Sequence, residues 1–340
     1  IVRNLYILCA AVVLLALLSF SGCSKPTEPS SGAAQATPAA AKPKLAGMVF
    51  QEDQFFRLVL FGMRDAAKKA GVELLEGNSA MKPEKEIQLV NTYVARKVDA
   101  IILSPISAKG SVAALKPAVD KGIKVVTYNT SVEGDLAVSA VASIEEDLGA
   151  QTGRAAKQYI EEKLGGKAKI AVFCFKSQAP EQSEARVGGF KREVGTLPGV
   201  EFVAEQDAWL PELGVKRVGD VLTANPDVNI VWAANEGGTV GAVMAVRNAG
   251  KAGQIAVFGT DASEQLLGFL QADDNILQAI TSQRPADLGR MAVENALKAI
   301  KGEPVEKKVS LPGVCLSRTD PAGVVAFAKQ LKEWMGGGGQ

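Results

Sequence analysis

Four polar residues recur at one kind of place in this sequence. Asp53, Asn129, Asn235 and Asp261 each stand where a short apolar run ends, just before a helical stretch. Two chemistries suit them. At strand carboxyl ends, amides can donate to and accept from a polar ligand, while carboxylates accept. The same residue types cap helices by accepting from backbone N–H groups of the first turn. Taken singly each residue fits capping, and four in register add weight to a shared ligand site. A third chemistry, glycoside hydrolysis, needs two carboxyl groups flanking one bond, for which Asp53, Glu236 and Asp261 are the candidates.

Other chemistries drop out on composition. Histidine is absent, which removes Ser/His/Asp and Cys/His triads and imidazole-ligated zinc. The balance of 38 basic and 37 acidic residues leaves a net charge of +1 and no concentrated basic field for nucleic acid. Cys9, Cys23, Cys174 and Cys315 form no close pair, and Cys174 and Cys315 are expected as buried free thiols. Gly237-Gly238-Thr239-Val240-Gly241 lacks dinucleotide-fingerprint spacing and reads as close packing at a helix start. No cofactor and no metal are expected.

The elements that must position these residues alternate. Leu45 to Phe50 reads as a strand and Phe55 to Ala70 as a helix, and the pattern repeats through Asp99 to Pro105 and Lys124 to Thr130. A second series starts with a helix over Leu148 to Leu164 and continues through the strands KIAVFCF, EFVAEQ, NIVWAAN and QIAVFGTD. Such βα units build parallel sheets covered on both faces, and 340 residues fit two lobes. Facing lobes would gather both sets of strand ends around one cleft. Trp232, inside an apolar run, is expected in the core. Phe55 and Phe56 open an amphipathic helix, so at least one of them is expected in the core too.

Ahead of the body, Arg3 precedes the apolar run Leu5 to Phe20, and Ser21-Gly22 precedes Cys23, the layout of a secretory signal. Phe20-Ser21-Gly22-Cys23 resembles a lipobox, which makes Cys23 the expected lipidation site. The Pro-, Ser- and Ala-rich segment after it is expected to be a disordered tether.

The body is similar to the periplasmic sugar-binding proteins of the ribose-binding and galactose/glucose-binding type over Lys44 to Leu311. The marks are DQFF (Asp53 to Phe56), VVTYN (Val125 to Asn129), ARVGGF (Ala185 to Phe190), LTANPDVNIVWAANEGGTVGA (Leu222 to Ala242), VFGTDAS (Val257 to Ser263) and SQRPADLG (Ser282 to Gly289). The resemblance implies the type I periplasmic binding protein fold: two Rossmann-like three-layer α/β/α lobes joined by a three-segment hinge. Crossings are expected near Val141 to Ser143, at Asp261-Ala262 or slightly later, and at Gln283. The expected organisation is a signal peptide over 1–22, a tether over 23–43, one lobe from 44–141 with 262–283, the other from 142–261 with 284–312, and a final crossing segment and helix over 313–340.

By the same resemblance, Phe55 or Phe56 from one lobe and Trp209 from the other would stack on a sugar's C–H faces. Arg186 would fork two of its oxygens, Asn129 and Asn235 would each donate and accept, Asp53 and Asp261 would accept, and Gln283 would close the set from the hinge. The ribose type has Asp-Arg where this chain has Asn129-Thr130, and the galactose type has His and Asp where it has Pro180 and Gln182. A pentose, a cyclitol or a linear polyol therefore stands beside a hexose as ligand. The implied role is that of a monomeric, non-enzymatic extracytoplasmic lipoprotein handing a sugar or polyol to the membrane permease of an ABC transporter. The alternative is a sensor lipoprotein presenting it to a chemoreceptor or histidine kinase.

Overall fold

The structure, a computed structural model, describes residues 42–336. The expected signal peptide, the lipidation site Cys23 and nearly all of the tether lie outside the described residues.

The first series of elements is β1 (Lys44–Val49), α1 (Gln54–Ala70), β2 (Glu73–Asn78), α2 (Pro83–Ala95), β3 (Ala100–Leu103), α3 (Ser111–Asp120), β4 (Lys124–Tyr128) and β5 (Ser139–Ser143). The second is α4 (Glu145–Lys163), β6 (Lys167–Cys174), α5 (Pro180–Val194), β7 (Gly199–Asp207), α6 (Pro211–Ala224), β8 (Ile230–Ala233), α7 (Glu236–Asn248), β9 (Ala256–Thr260), α8 (Glu264–Gln271) and β10 (Leu277–Ser282). The chain ends with α9 (Pro285–Ile300), β11 (Lys308–Leu311), β12 (Val314–Ser317) and α10 (Pro321–Gly336). The central strands AIIL of β3 and IVWA of β8 are buried at every position, because helices cover both faces of each sheet. Proline opens α2, α5, α6 and α9, where its missing N–H forfeits no helical bond.

One sheet runs β11-β5-β4-β3-β1-β2 and the other β12-β10-β9-β8-β6-β7. All pairings are parallel except β12 with β10. Each sheet carries apolar clusters on its two faces. Trp232 is fully buried, stacked on Phe190 with ring centroids 4.6 Å apart, and its indole N–H donates to Thr152 Oγ1 at 2.9 Å. Cys174 is buried as expected and Cys315 is exposed on β12, and both are free.

The lobe boundaries differ from the expectation. The chain crosses between sheets from Ser143 to Glu145, from Ser282 to Pro285 and from Leu311 to Val314. Asp261-Ala262 is not a crossing, since α8 and β10 stay with the second sheet, where β10 pairs with β9. Residues 285–311 return to the first lobe: Leu288, Ala292, Val293 and Ala296 of α9 join its core, and β11 pairs with β5. The two tail segments are thus exchanged relative to the expected 262–283 and 284–312. The reason is not local: pairing with strands elsewhere in the chain decides which sheet each joins, β10 beside β9 and β11 beside β5.

Helix packing repeats between the lobes. In the first, α1 and α9 touch backbone to backbone, such that a Cβ at Gly62 would lie 2.0 Å from the Ala286 carbonyl oxygen and one at Gly289 2.1 Å from that of Val59. In the second, α4 and α5 meet likewise: a Cβ at Gly149 would lie 1.8 Å from the Arg186 oxygen, and one at Gly189 2.0 Å from that of Glu146. No side chain fits at these crossings.

Candidate functional site

The four strand-end residues divide into two pairs. Asp53 and Asn235 are helix N-caps. Asp53 Oδ1 accepts from Phe56 N at 2.9 Å, and its other oxygen accepts from the Gln51 amide. Asn235 Oδ1 accepts from Gly238 N at 3.2 Å, and its Nδ2 donates to the Trp209 carbonyl at 2.8 Å. Neither Asn129 nor Asp261 is a helix N-cap, although Asp261 accepts from the first N–H of α7. They follow β4 and β9, the matching fourth strands of the two lobes, and both take left-handed backbone, with φ of 61° and 75°. Asn and Asp tolerate that region better than other side-chain-bearing residues, so the sharp exit from each strand selects them.

Around Asp261 the second lobe builds a connected polar set. Asp261 Oδ2 accepts from Glu236 N at 2.9 Å and Oδ1 accepts from Gln283 Nε2 at 2.5 Å. Gln283, 7% exposed in the second crossing, also accepts from the Ser143 hydroxyl of the first crossing, at 3.3 Å to Oε1. Arg186 is only 4% exposed. Its Nε donates to Glu145 Oε2 at 2.6 Å, its Nη1 donates to the Ala234 carbonyl at 2.9 Å, and Nη1 lies 3.9 Å from Asp261 Oδ2. Its plane lies over the Phe175 ring, 5.1 Å from the centroid. The guanidinium has five N–H groups, so donors remain beyond these contacts.

The lobes lie against each other here. Leu58 of α1 packs into the apolar cluster of the second lobe, and Gln182 Nε2 reaches the Asn129 carbonyl at 3.5 Å. A cavity of about 10 Å³ remains at the seam, lined by Phe55, Leu58, Glu236, Asp261, Ala262, Ser282, Gln283 and Pro285. The structure thus brings Phe55, Asp261 and Gln283 together on one space, with Arg186 beside Asp261. Asp53, Asn129, Trp209 and Asn235 sit on the surrounding strand ends without lining it. Phe56 is core, 3% exposed and packed on Phe50 and Tyr128, while Phe55 is half-buried and meets Phe56 edge-on. Trp209 is half-buried and packs against the core face that holds Trp232.

Glu236 and Glu145 carry more of the site than their sequence positions advertise. Burial pushes the Glu236 carboxyl above its ordinary range, and repulsion from Asp261 and Asp53 pushes it further. Burial likewise raises Asp53, with Asp261 adding to it against the bonds from Phe56 and Gln51. Carboxylates from both lobes therefore face one another. Glu236 is legible as an acidic residue directly after a cap; Glu145 is one of three acidic residues in the first turn of α4, and nothing in the sequence tells which of them meets Arg186. Among the described residues no cluster of His, Cys, Asp and Glu could hold a metal ion.

Residues 48–304 match the family model described as a periplasmic binding protein domain. Over 298 residues the chain is 32% identical to the ABC transporter periplasmic-binding protein YphF of Escherichia coli (strain K12), covering 85% of this chain and 90% of that protein. It is 31% identical over 258 residues to the ribose import binding protein RbsB of the same organism, covering 75% and 83%. Among solved structures it resembles an ABC transporter periplasmic solute binding protein from Actinobacillus succinogenes 130z with bound D-allose, with a TM-score of 0.75, 25% identity, and coverage of 83% of this chain and 100% of that one. A solute binding protein from Bacillus halodurans C-125 with bound myo-inositol shares the fold, with a TM-score of 0.74, 21% identity, and coverage of 86% and 100%.

Proposed function

The chain belongs to the periplasmic binding protein family, and from that premise we propose that it binds a monosaccharide or polyol between its lobes and delivers it to the membrane permease of an ABC transporter. Family membership makes it a non-enzymatic, extracytoplasmic transport component. The observation that carries the ligand reading is the convergence of Phe55 from the first lobe, Asp261 from the second and Gln283 from a crossing on one seam, with Arg186 buried beside them. An aromatic face with a carboxylate, an amide and a guanidinium is the chemistry that a polyhydroxylated ring requires. Relatives and neighbours named for ribose, allose and myo-inositol support the same class.

In this reading the three crossings act as a hinge. Ligand meets one lobe first and recruits the other, and it biases the equilibrium only through contacts made when both lobes hold it. Asn129 and Asp53 complete the set from the first lobe, Asn235 and Trp209 from the second. Lipidation at Cys23 would hold this monomeric body at a membrane beside the permease.

A thermal-shift panel on the body from Lys42 onward tests the reading, since a ligand that binds only the folded state raises its melting temperature. A rise with one pentose, hexose, inositol or linear polyol, lost in Arg186→Ala and Trp209→Ala, is the expected result. A rise only with nucleosides or amino acids would overturn the sugar class.

A further inference from the structure

The C-terminal helix joins the lobes a fourth time, without a peptide link. Its root belongs to the second lobe: Val324 and Leu331 are buried there at 2% and 0% exposure, and Arg318 just before it donates to the Leu277 and Phe269 carbonyls, both at 2.7 Å. Its last turn reaches the first lobe. Trp334 lies 6.3 Å from Phe61 of α1, centroid to centroid, and the Arg290 guanidinium of α9 sits over both rings, 5.8 Å from Phe61 and 5.6 Å from Trp334. Asp65 and Asp287 fix that guanidinium through 2.8 Å bonds, so the first lobe presents a preformed seat.

We propose that α10 is a strap that holds the lobes in their apposed arrangement by seating Trp334 against Phe61 and Arg290. The proposal rests on the hinge motion proposed above. Two features suit the contact to that task. It lies toward the β1–β2 side of the first sheet, beside a cavity of about 700 Å³ that Trp334 and Met335 share with Arg64, Glu76 and Asn78. Two of the crossings leave from β5 and β11 at the opposite edge, so rotation about them carries Trp334 through a long arc. The neighbouring cavity also leaves the seat thin, one ring tilted against one ring and one cation. Such a contact shifts an equilibrium without locking it.

The test measures the interlobe distance in the full chain without ligand. Spin labels attached by azide chemistry at positions 85 and 216, exposed helix sites on opposite lobes, report the distribution of distances. Trp334→Ala is expected to raise the ratio of long to short distances by about 3- to 10-fold, and Trp334→Phe, which keeps a ring, by less. Phe61→Ala is expected to reproduce the shift from the other side of the seat. A Trp334→Ala distribution that matches the unaltered chain overturns the strap. Failure of the ligand reading shows separately, as an unaltered chain whose distances no sugar or polyol shortens.

Discussion

The two lobes share one strand order, one pattern of glycine-crossed helix pairs and one left-handed residue after the fourth strand, yet they hold their site residues differently. In the second lobe Asp261, Gln283, Glu236, Arg186 and Glu145 form one connected set of hydrogen bonds and ion pairs. In the first, the Asn129 side chain makes, among the described residues, a single 3.4 Å bond to Ser104, and Asp53 is occupied with its own helix. A polar network whose members are satisfied by the scaffold is held in place before ligand arrives, and a loosely bonded amide is free to turn toward it. On the ligand reading proposed above, the second lobe is the preorganised half and the first the half that adapts.

Removing Arg186 should break that comparison most severely. Arg186→Ala strands Glu145, a 14% exposed side chain, without its partner, and the loss should be about 3–5 kcal/mol in urea unfolding together with about 100-fold in ligand affinity. A variant that binds normally would show the network to be structural only. Next come the glycine crossings. Gly62→Ala and Gly149→Ala each drive a methyl into a carbonyl and should cost about 1–3 kcal/mol. They part company in binding: the carbonyl struck by Gly149→Ala is that of Arg186 itself, so affinity should fall with stability, while Gly62→Ala should act mainly on stability.

A pair of glycine substitutions sharpens the contrast further. Asp261→Gly and Asn129→Gly both keep a residue at ease with positive φ, so each removes a side chain with little backbone strain. Asp261→Gly frees Gln283 and the Glu236 N–H and should cost about 1–3 kcal/mol, whereas Asn129→Gly should cost less than about 1 kcal/mol and show itself chiefly as weaker binding. Equal losses would put the two lobes on the same footing.

These residues also show what the sequence could disclose. The βα alternation was legible because central strands such as AIIL and IVWA, buried on both faces, must be continuous apolar runs. The lobe to which β10 and β11 belong was not, because that choice is made by pairing between segments far apart in the chain. At Asp53 and Asn235 the structure shows the capping role, and a carboxylate or amide has sites left after one cap bond, so capping and ligand binding are not alternatives that the residue type can separate. Arg186 sits in a helix whose pattern is mostly polar, which hides its burial, and its partner Glu145 stands among acidic neighbours that suit a helix start equally well.

The smallest expected effect is electrostatic and crosses the seam. Glu236 of the second lobe and Asp53 of the first are both held above their ordinary values of 4.5 and 3.8, by burial first and then by neighbouring carboxylates. A carboxyl raised on folding contributes stability that is complete below its unfolded value and is lost as pH rises through its folded value. The melting temperature of the ligand-free body should therefore sag as pH rises from about 4 into the range above Glu236's raised value. Asp65, Glu205 and Asp227 are shifted down, so what they contribute is lost as pH falls through their ordinary values of 3.8, 4.5 and 3.8; they offset part of the sag at about pH 4 and leave it unmasked above about pH 5. Glu236→Gln removes the titrating group, though not the Arg57 charge that partly offsets it, and should flatten the sag. Because the part of the repulsion that sets Asp53 against Asp261 and Glu236 acts between lobes, the radius of gyration should grow over the same window in the unaltered protein and less in the variant. A sag that persists unchanged in Glu236→Gln would move its origin away from the seam, and the comparison would then rest on hydrogen bonding alone.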